Sequence, residues 1–157
     1  MGWGNWGNWG NVPIGECSKN SNPIDHNNAV LMIEATLFEE SNGTRYIEVY
    51  WNAGACIGVS NDPNQALTSC NMEVEIVVSW PLIGPPFNYP RISSTFNGLC
   101  SKSQTNVFDD ISDTASYYDV LVTLNTECFF IQKFGFPPFF FPGYTTDQVT
   151  CSCRIYR

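Results

Sequence analysis

The sequence predicts an all-β protein, namely a disulfide-stapled antiparallel β-sandwich of about seven strands with an extended N-terminal arm. Apolar and polar residues alternate in several segments of the 157-residue chain, and turns rich in Gly, Pro and Asn separate these segments. Seven cysteines are spread over the whole length. A closed β-barrel is the alternative that the same pattern allows. No window shows the sustained 3.6-residue apolar period of an amphipathic helix.

The composition limits the class of protein and its partners. A length of 157 residues favours one domain, and 43% hydrophobic with 14% charged residues excludes intrinsic disorder. The net charge of −8 argues against nucleic acid as a partner, because an acidic chain cannot neutralise a phosphate backbone. The chain contains no run of 18 consecutive apolar residues, so the sequence does not predict a transmembrane helix. We expect no cofactor and no metal.

The chain begins with residues that we assign to an arm and a connecting loop, 1–28, ahead of a sandwich domain, 29–157. Residues 1–11 repeat Trp-Gly-Asn three times and place Trp3, Trp6 and Trp9 three residues apart. A period of three fits an extended, polyproline-like course. Because the arm is uncharged and rich in indole rings, we expect it to dock, across a subunit boundary or on its own domain, rather than remain a flexible tail. Residues 12–28 are polar and predict a connecting loop pinned by Cys17.

Seven segments have the length and pattern of strands. Asn42-Gly43 lies between two of them and predicts a hairpin turn, since both residues tolerate positive φ. In the second strand of this hairpin Ile47, Val49 and Trp51 share one face. The predicted strands are Ile33–Glu40, Arg45–Trp51, Met72–Trp80, Arg91–Phe96, Tyr117–Leu124, Cys128–Phe134 and Gln148–Tyr156.

The cysteines indicate an oxidising compartment and therefore a secreted, extracellular protein. Zinc is disfavoured, because the one close pair is Cys151 and Cys153 and the single histidine, His26, is far from it. Cys151 and Cys153 face the same side of a predicted strand, so we expect them to bond to different partners. Asn42 heads the sequon Asn-Gly-Thr and is a candidate N-glycan site on a hairpin tip. An odd count allows at most three bridges within the chain among Cys17, Cys56, Cys70, Cys100, Cys128, Cys151 and Cys153.

An aromatic-proline element occurs twice. Residues 85–90 and 137–142 both read Pro-Pro-Phe-x-aromatic-Pro, and proline confines such segments to loops or sheet edges. Their rings either fold back to plug the ends of the sandwich or form an exposed surface for a partner. The second copy has three consecutive rings, which point in different directions. We therefore expect at least one of these rings to contact another molecule. The candidate partner-binding residues are Phe87, Tyr89, Phe139, Phe140 and Phe141.

The sequence does not indicate an enzyme. His26 lies in a polar loop without a nucleophile motif, so a Ser-His-Asp or Cys-His mechanism has no support. The acidic stretch of Asp109, Asp110, Asp113 and Asp119 is interpreted as a solvated loop, with a surface calcium site or a glycosidase carboxylate pair as alternatives.

These observations predict a secreted structural or adhesive subunit. We expect it to self-assemble into a homo-oligomer, an extracellular filament or a surface layer, through its arm and its aromatic loops. The alternative is a monomeric secreted binding module, toxin-like or effector-like, that recognises a sugar, a lipid or a receptor through the Pro-Pro-Phe loops.

Overall fold

The computed structural model describes residues 11–22, 28–85 and 87–157. Trp3, Trp6 and Trp9 of the arm and His26 lie outside the described residues. The docking expected of the arm therefore stays a prediction.

Eight strands form two antiparallel four-stranded sheets that pack face to face, which confirms the sandwich and excludes the barrel among the described residues. Sheet A has the order β1-β2-β3-β6 and sheet B the order β5-β4-β7-β8. The elements are β1 (Val12–Asn20), β2 (Ala29–Glu39), β3 (Arg45–Ala55), α1 (Ile57–Ser60), β4 (Gln65–Ser79), β5 (Arg91–Asn97), β6 (Ser101–Phe108), β7 (Tyr117–Phe134) and β8 (Phe139–Tyr156).

The core lies between the sheets and follows the alternation of the sequence. Every second residue is buried throughout β3 and in β4 from Cys70 onward. Burying one such side chain contributes about 1.5–3 kcal/mol. The Asn42-Gly43 turn between β2 and β3 forms as predicted, with a φ of 90° at Gly43. Buried residues of these strands include Ile47, Val49, Trp51, Met72, Val74, Ile76 and Val78.

Three strand predictions need correction. Val12–Asn20, expected within a connecting loop, form edge strand β1, and only a few of their side chains face the core, so the apolar period is weak. Ser101–Phe108 form β6, a second edge strand that the sequence did not reveal, because Phe108 is its one buried residue. The two strands expected between Tyr117 and Phe134 are one continuous strand, β7, since Thr126 is buried on the core face and carries the alternation across the gap.

Three disulfides connect the structure, and they correct one prediction about Cys151. The bridges join Cys17 to Cys153, Cys56 to Cys128, and Cys70 to Cys100. Cys151 is a buried free thiol, so the expectation that it is disulfide-bonded is wrong. Its Sγ lies 3.5 Å from the carbonyl oxygen of Leu31. The Cys151 side chain therefore points at the backbone of β2 instead of at another cysteine.

The register defines two opposite ends of the sandwich. One end, called here the arm end, is where β1 begins, and there Val12 pairs with Glu39. At the same end β7 begins opposite the end of β8, where Tyr117 pairs with Tyr156. At the other end, sheet A stops at Ala55, and the next residue, Cys56, is disulfide-bonded to Cys128 of β7. Beyond that bridge β7 and β8 continue without a covering strand of sheet A among the described residues, and they turn after Phe134.

Candidate functional site

The part of β7 and β8 beyond the Cys56–Cys128 bridge, residues 128–145, is called here the aromatic hairpin. Its turn begins at Gly135, whose φ of 73° falls in the region that favours glycine. The pairing is regular up to the turn, where Phe134 lies opposite Phe139. The second Pro-Pro-Phe element thus forms the turn and the start of an edge strand, where proline is tolerated.

Both faces of the aromatic hairpin are apolar. Residues directly opposite each other in antiparallel strands share a face, so the register assigns every side chain to one side. Ring contacts occur on each face, with centroids 5.7 Å apart for Phe134 and Phe141 and 5.0 Å apart for Phe129 and Tyr144. The face continuous with the core carries Phe130, Phe134, Phe139 and Phe141, and the opposite face carries Phe129, Ile131, Phe140, Pro142 and Tyr144.

The rings near the turn are open to solvent. Phe140 is 65% exposed, and Phe136 within the turn is 101% exposed. Lys133 is the one charged side chain of residues 128–145. A contiguous aromatic surface with so little charge is rare on a monomeric protein and typically marks an interaction site.

A closely packed glycine gives the aromatic hairpin a defined shape near its base. A Cβ added at Gly143 would lie 2.2 Å from the ring of Phe130, so that ring lies directly over the glycine backbone. A third strand, β4, extends alongside β7 up to Gln65. The side-chain amide nitrogen of Gln65 donates to the side-chain oxygen of Gln132 at 2.8 Å. The hairpin is consequently the end of a three-stranded ribbon rather than an isolated pair of strands.

The first aromatic-proline element lies at the arm end and folds back on the core. Tyr89 donates its hydroxyl to the carbonyl of Trp80 at 2.6 Å, and the two rings meet edge to face at 5.1 Å. Phe87 also contacts Trp80, at 5.6 Å, but remains 48% exposed. The two copies therefore lie at opposite ends of the sandwich, and they use their rings differently.

One residue of the acidic stretch, Asp113, is hydrogen-bonded to the buried Arg45. Asp113 accepts the backbone N–H of Arg45 at 2.8 Å, and the Arg45 guanidinium donates to Ala115 O at 2.8 Å and to Tyr118 Oη at 3.1 Å. Burial alone would lower the pKa of Arg45, but hydrogen bonds to Tyr118 and Glu39 outweigh it and raise that pKa. Burial raises the pKa of Tyr118, which keeps its hydroxyl protonated.

This geometry gives Asp113 a structural role, and Asp109 and Asp110 are exposed. Asp119 belongs to β7 rather than to the loop, and it pairs with Arg154 at 2.7 Å. Within the described ranges no group of three or more His, Cys, Asp or Glu residues is placed to hold a metal ion.

The candidate glycan position lies on the β2–β3 turn. Asn42 is exposed, and its Oδ1 accepts the backbone N–H of Thr44 at 3.0 Å. A glycan there would extend into solvent, and its presence stays a prediction.

Sequence reasoning identified three rings of the aromatic hairpin and missed the others. Phe139, Phe140 and Phe141 were singled out by the repeat, whereas Phe134 and Phe136 were not. A strand that is apolar on both faces has the sequence pattern of a buried strand, so the pattern alone does not indicate that this surface is exposed. The aromatic turn Phe134-Gly135-Phe136-Pro137 is the signal that could have revealed it.

No helix of the described part is long and apolar enough to cross a bilayer. Comparison with protein-family models, with curated proteins and with solved structures finds no significant match to this chain.

Proposed function

We propose that the protein is an extracellular structural or adhesive subunit that self-associates through the aromatic hairpin into a filament or surface layer. The observation that carries this proposal is a projecting hairpin with apolar side chains on both faces and a single charge. Left in water, such a surface is an aggregation liability. Covering it with a second copy contributes about 25 cal/mol per Å² of apolar area buried, before the entropic and desolvation costs of association are subtracted.

The rigidity of the hairpin supports the same proposal. Its rings stand on paired strands anchored by the Cys56–Cys128 bridge, so they lose little conformational freedom on binding. Three disulfides within 157 residues favour an oxidising, extracellular environment. Cys17–Cys153 also joins edge strands of the two sheets and so connects the sheets covalently.

The test compares oligomeric state before and after the rings are removed. Size-exclusion chromatography with light scattering should show wild-type species larger than 17.6 kDa. The hairpin variant, Phe139→Ser/Phe140→Ser/Phe141→Ser, should be a monomer. Val107→Ser is the matched control, because Val107 is exposed on β6, away from the hairpin, and should leave assembly unchanged. A monomeric wild type at all concentrations would refute self-association.

A second candidate function is a sugar-binding module, and one observation favours it. The outer face of sheet B holds a depression of about 290 Å³ beside the Phe129–Tyr144 ring pair. Glu127 lines the depression, and its carboxylate accepts the hydroxyl of Tyr144 at 2.7 Å, so an aromatic ring is held next to a lining carboxylate. Amide, hydroxyl and carboxylate groups beside an aromatic ring suit the polar and apolar faces of a sugar. The lining residues are Asn71, Met72, Glu73, Thr95, Asn97, Asn125 and Glu127.

Calorimetric titration with oligosaccharides distinguishes the two functions. Binding by a wild-type monomer that is lost in Asn125→Ala would support the module. Absence of binding across a broad oligosaccharide panel would contradict the sugar-binding module.

A further inference from the structure

Residues 1–10 join the described part of the protein at the end opposite to the aromatic hairpin. Gly15 of β1 lies against the end of β8, since a Cβ added there would be 2.6 Å from the carbonyl oxygen of Tyr156. Val12 is three residues further toward the arm end. From Tyr156, β8 runs 18 residues back to Phe139. At about 3.3 Å per residue, this strand is about 55–60 Å long.

The chain's own first residues cannot reach its own hairpin turn. Ten extended residues span at most about 33–36 Å, which is well short of the length of β8. If these residues cover Phe139, Phe140 and Phe141, they must come from another molecule. The neighbouring copy supplies the same segment at its own arm end.

The composition of residues 1–10 matches that of the hairpin. The segment holds three tryptophans and four glycines and has no charged side chain, while residues 128–145 have one. Contact between them desolvates almost no charge. Three indoles bury about 450–750 Å² at about 150–250 Å² each. That area approaches the roughly 800 Å² per partner of a stable interface.

The spacing of the tryptophans matches the two apolar faces of the hairpin. If docking pairs this segment with an edge strand, it takes strand geometry instead of the polyproline-like course that its period of three suggests. Successive side chains of a strand point to opposite faces, so Trp3 and Trp9 would then lie on one face and Trp6 on the other. β8 is the last strand of its sheet, and its outer edge pairs with no other described strand. The glycines between the tryptophans permit close approach of the two backbones.

We propose that residues 1–10 of one copy dock along the aromatic hairpin of a second copy, so that subunits assemble head to tail. The inference rests on the proposed role of the hairpin in assembly and names its occupant. The docking segment and the hairpin that receives it lie at opposite ends of each subunit, so the contact joins two different surfaces and is heterologous. It propagates into an open chain rather than closing as a two-fold dimer.

The test mixes two full-length variants that are each defective at one end. The arm variant is Trp3→Ser/Trp6→Ser/Trp9→Ser, and the hairpin variant is the triple serine substitution described above. Each alone should be a monomer by light scattering. Their mixture should form a species of twice the protomer mass of 17.6 kDa and nothing larger, because one intact arm meets one intact hairpin.

Each other result contradicts a defined part of the proposal. If the arm variant alone forms the wild-type oligomer, the aromatic hairpins of two copies pack on each other. That result would contradict the assignment of residues 1–10 as the segment that covers the hairpin, but it would agree with self-association. A mixture that stays monomeric overturns head-to-tail docking. A wild type that is itself monomeric overturns the proposed function as well.

A peptide provides a measurement that does not depend on how the hairpin variant folds. A labelled peptide of residues 1–11 should bind the arm variant, with an anisotropy increase that saturates. A matched peptide with its three tryptophans replaced by serine should not bind. Equal binding by the two peptides, or no binding by either, would contradict the assigned occupant.

Discussion

At the scale of single residues, Arg45 holds together the loop at the arm end. The side chain is 7% exposed, and its Nε lies 3.2 Å from Glu39 Oε2, in addition to its bonds to Ala115 and Tyr118. The Arg45 backbone N–H binds Asp113 as well, so one residue joins the β2–β3 hairpin to the chain leading into β7. Its removal would leave buried acceptors without a donor.

We expect Arg45→Met to lower the free energy of unfolding by about 2–4 kcal/mol, because buried polar groups without partners are costly. Urea unfolding followed by circular dichroism measures the change. Arg91→Met is the control, since Arg91 forms an exposed ion pair with Glu75 and should cost less than about 1 kcal/mol. Equal effects of the two substitutions would contradict the structural role of Arg45.

The second residue-scale prediction concerns the thiol of Cys151. Burial raises its pKa, an effect that nearby Lys19 only partly opposes. The folded state therefore favours the neutral thiol, and this contribution to stability is lost as the pH rises above about 8.5, where an unfolded thiol ionises. Cys151→Ala should remove that alkaline decrease in stability, as measured by urea unfolding at several pH values.

Alkylation provides an independent check of the same assignment. Without reductant, iodoacetamide should leave the folded protein unmodified and should label Cys151 alone after unfolding, as read by mass spectrometry. Labelling of any other cysteine would contradict the disulfide pattern.

At the scale of elements, β1 is held against β8 by a close approach at Gly15. The register of β1 shifts between Pro13 and Gly15, and the chain then continues to the Cys17–Cys153 bridge. A Cβ at Gly15 would meet both Ile155 Cγ2 and the Tyr156 carbonyl oxygen at 2.6 Å. The backbone oxygen cannot rotate away, so one strand would have to move.

We expect Gly15→Ala to destabilise the protein by about 1–3 kcal/mol, as overpacking does. Thermal or urea unfolding gives the value. Ser18→Ala, an exposed position on the same strand, is the control and should change stability by less than about 0.5 kcal/mol. If Gly15→Ala is neutral, the close contact between β1 and β8 is wrong.

At the scale of the whole molecule, the proposed assembly would join two surfaces that together carry one charged side chain, on a protein whose net charge is −8. Salt cannot weaken an attraction that is not ionic, but it screens the repulsion between acidic subunits. Raising NaCl from about 0.05 M to about 0.5 M should therefore maintain or enlarge the assemblies, as measured by light scattering. Dissociation at high salt would show that ion pairs hold the subunits together.

The sequence by itself determined the features that depend on local pattern. Alternation in Met72–Trp80 identified a half-buried strand, because the side-chain period of two is set by backbone geometry. Asn42-Gly43 located a hairpin turn for an equally local reason, the tolerance of positive φ. The count of seven cysteines limited the bridges to three.

Only the tertiary structure decided what depends on which strands become neighbours. β1 and β6 are edge strands with few core residues, so pairing with β2 and β3 had to define them. Cys151 and Cys153 look alike in the sequence, but only Cys153 faces a cysteine on the opposite sheet. The two Pro-Pro-Phe elements are likewise separated by long-range pairing, because the register of β4, β7 and β8 places one at each end of the sandwich.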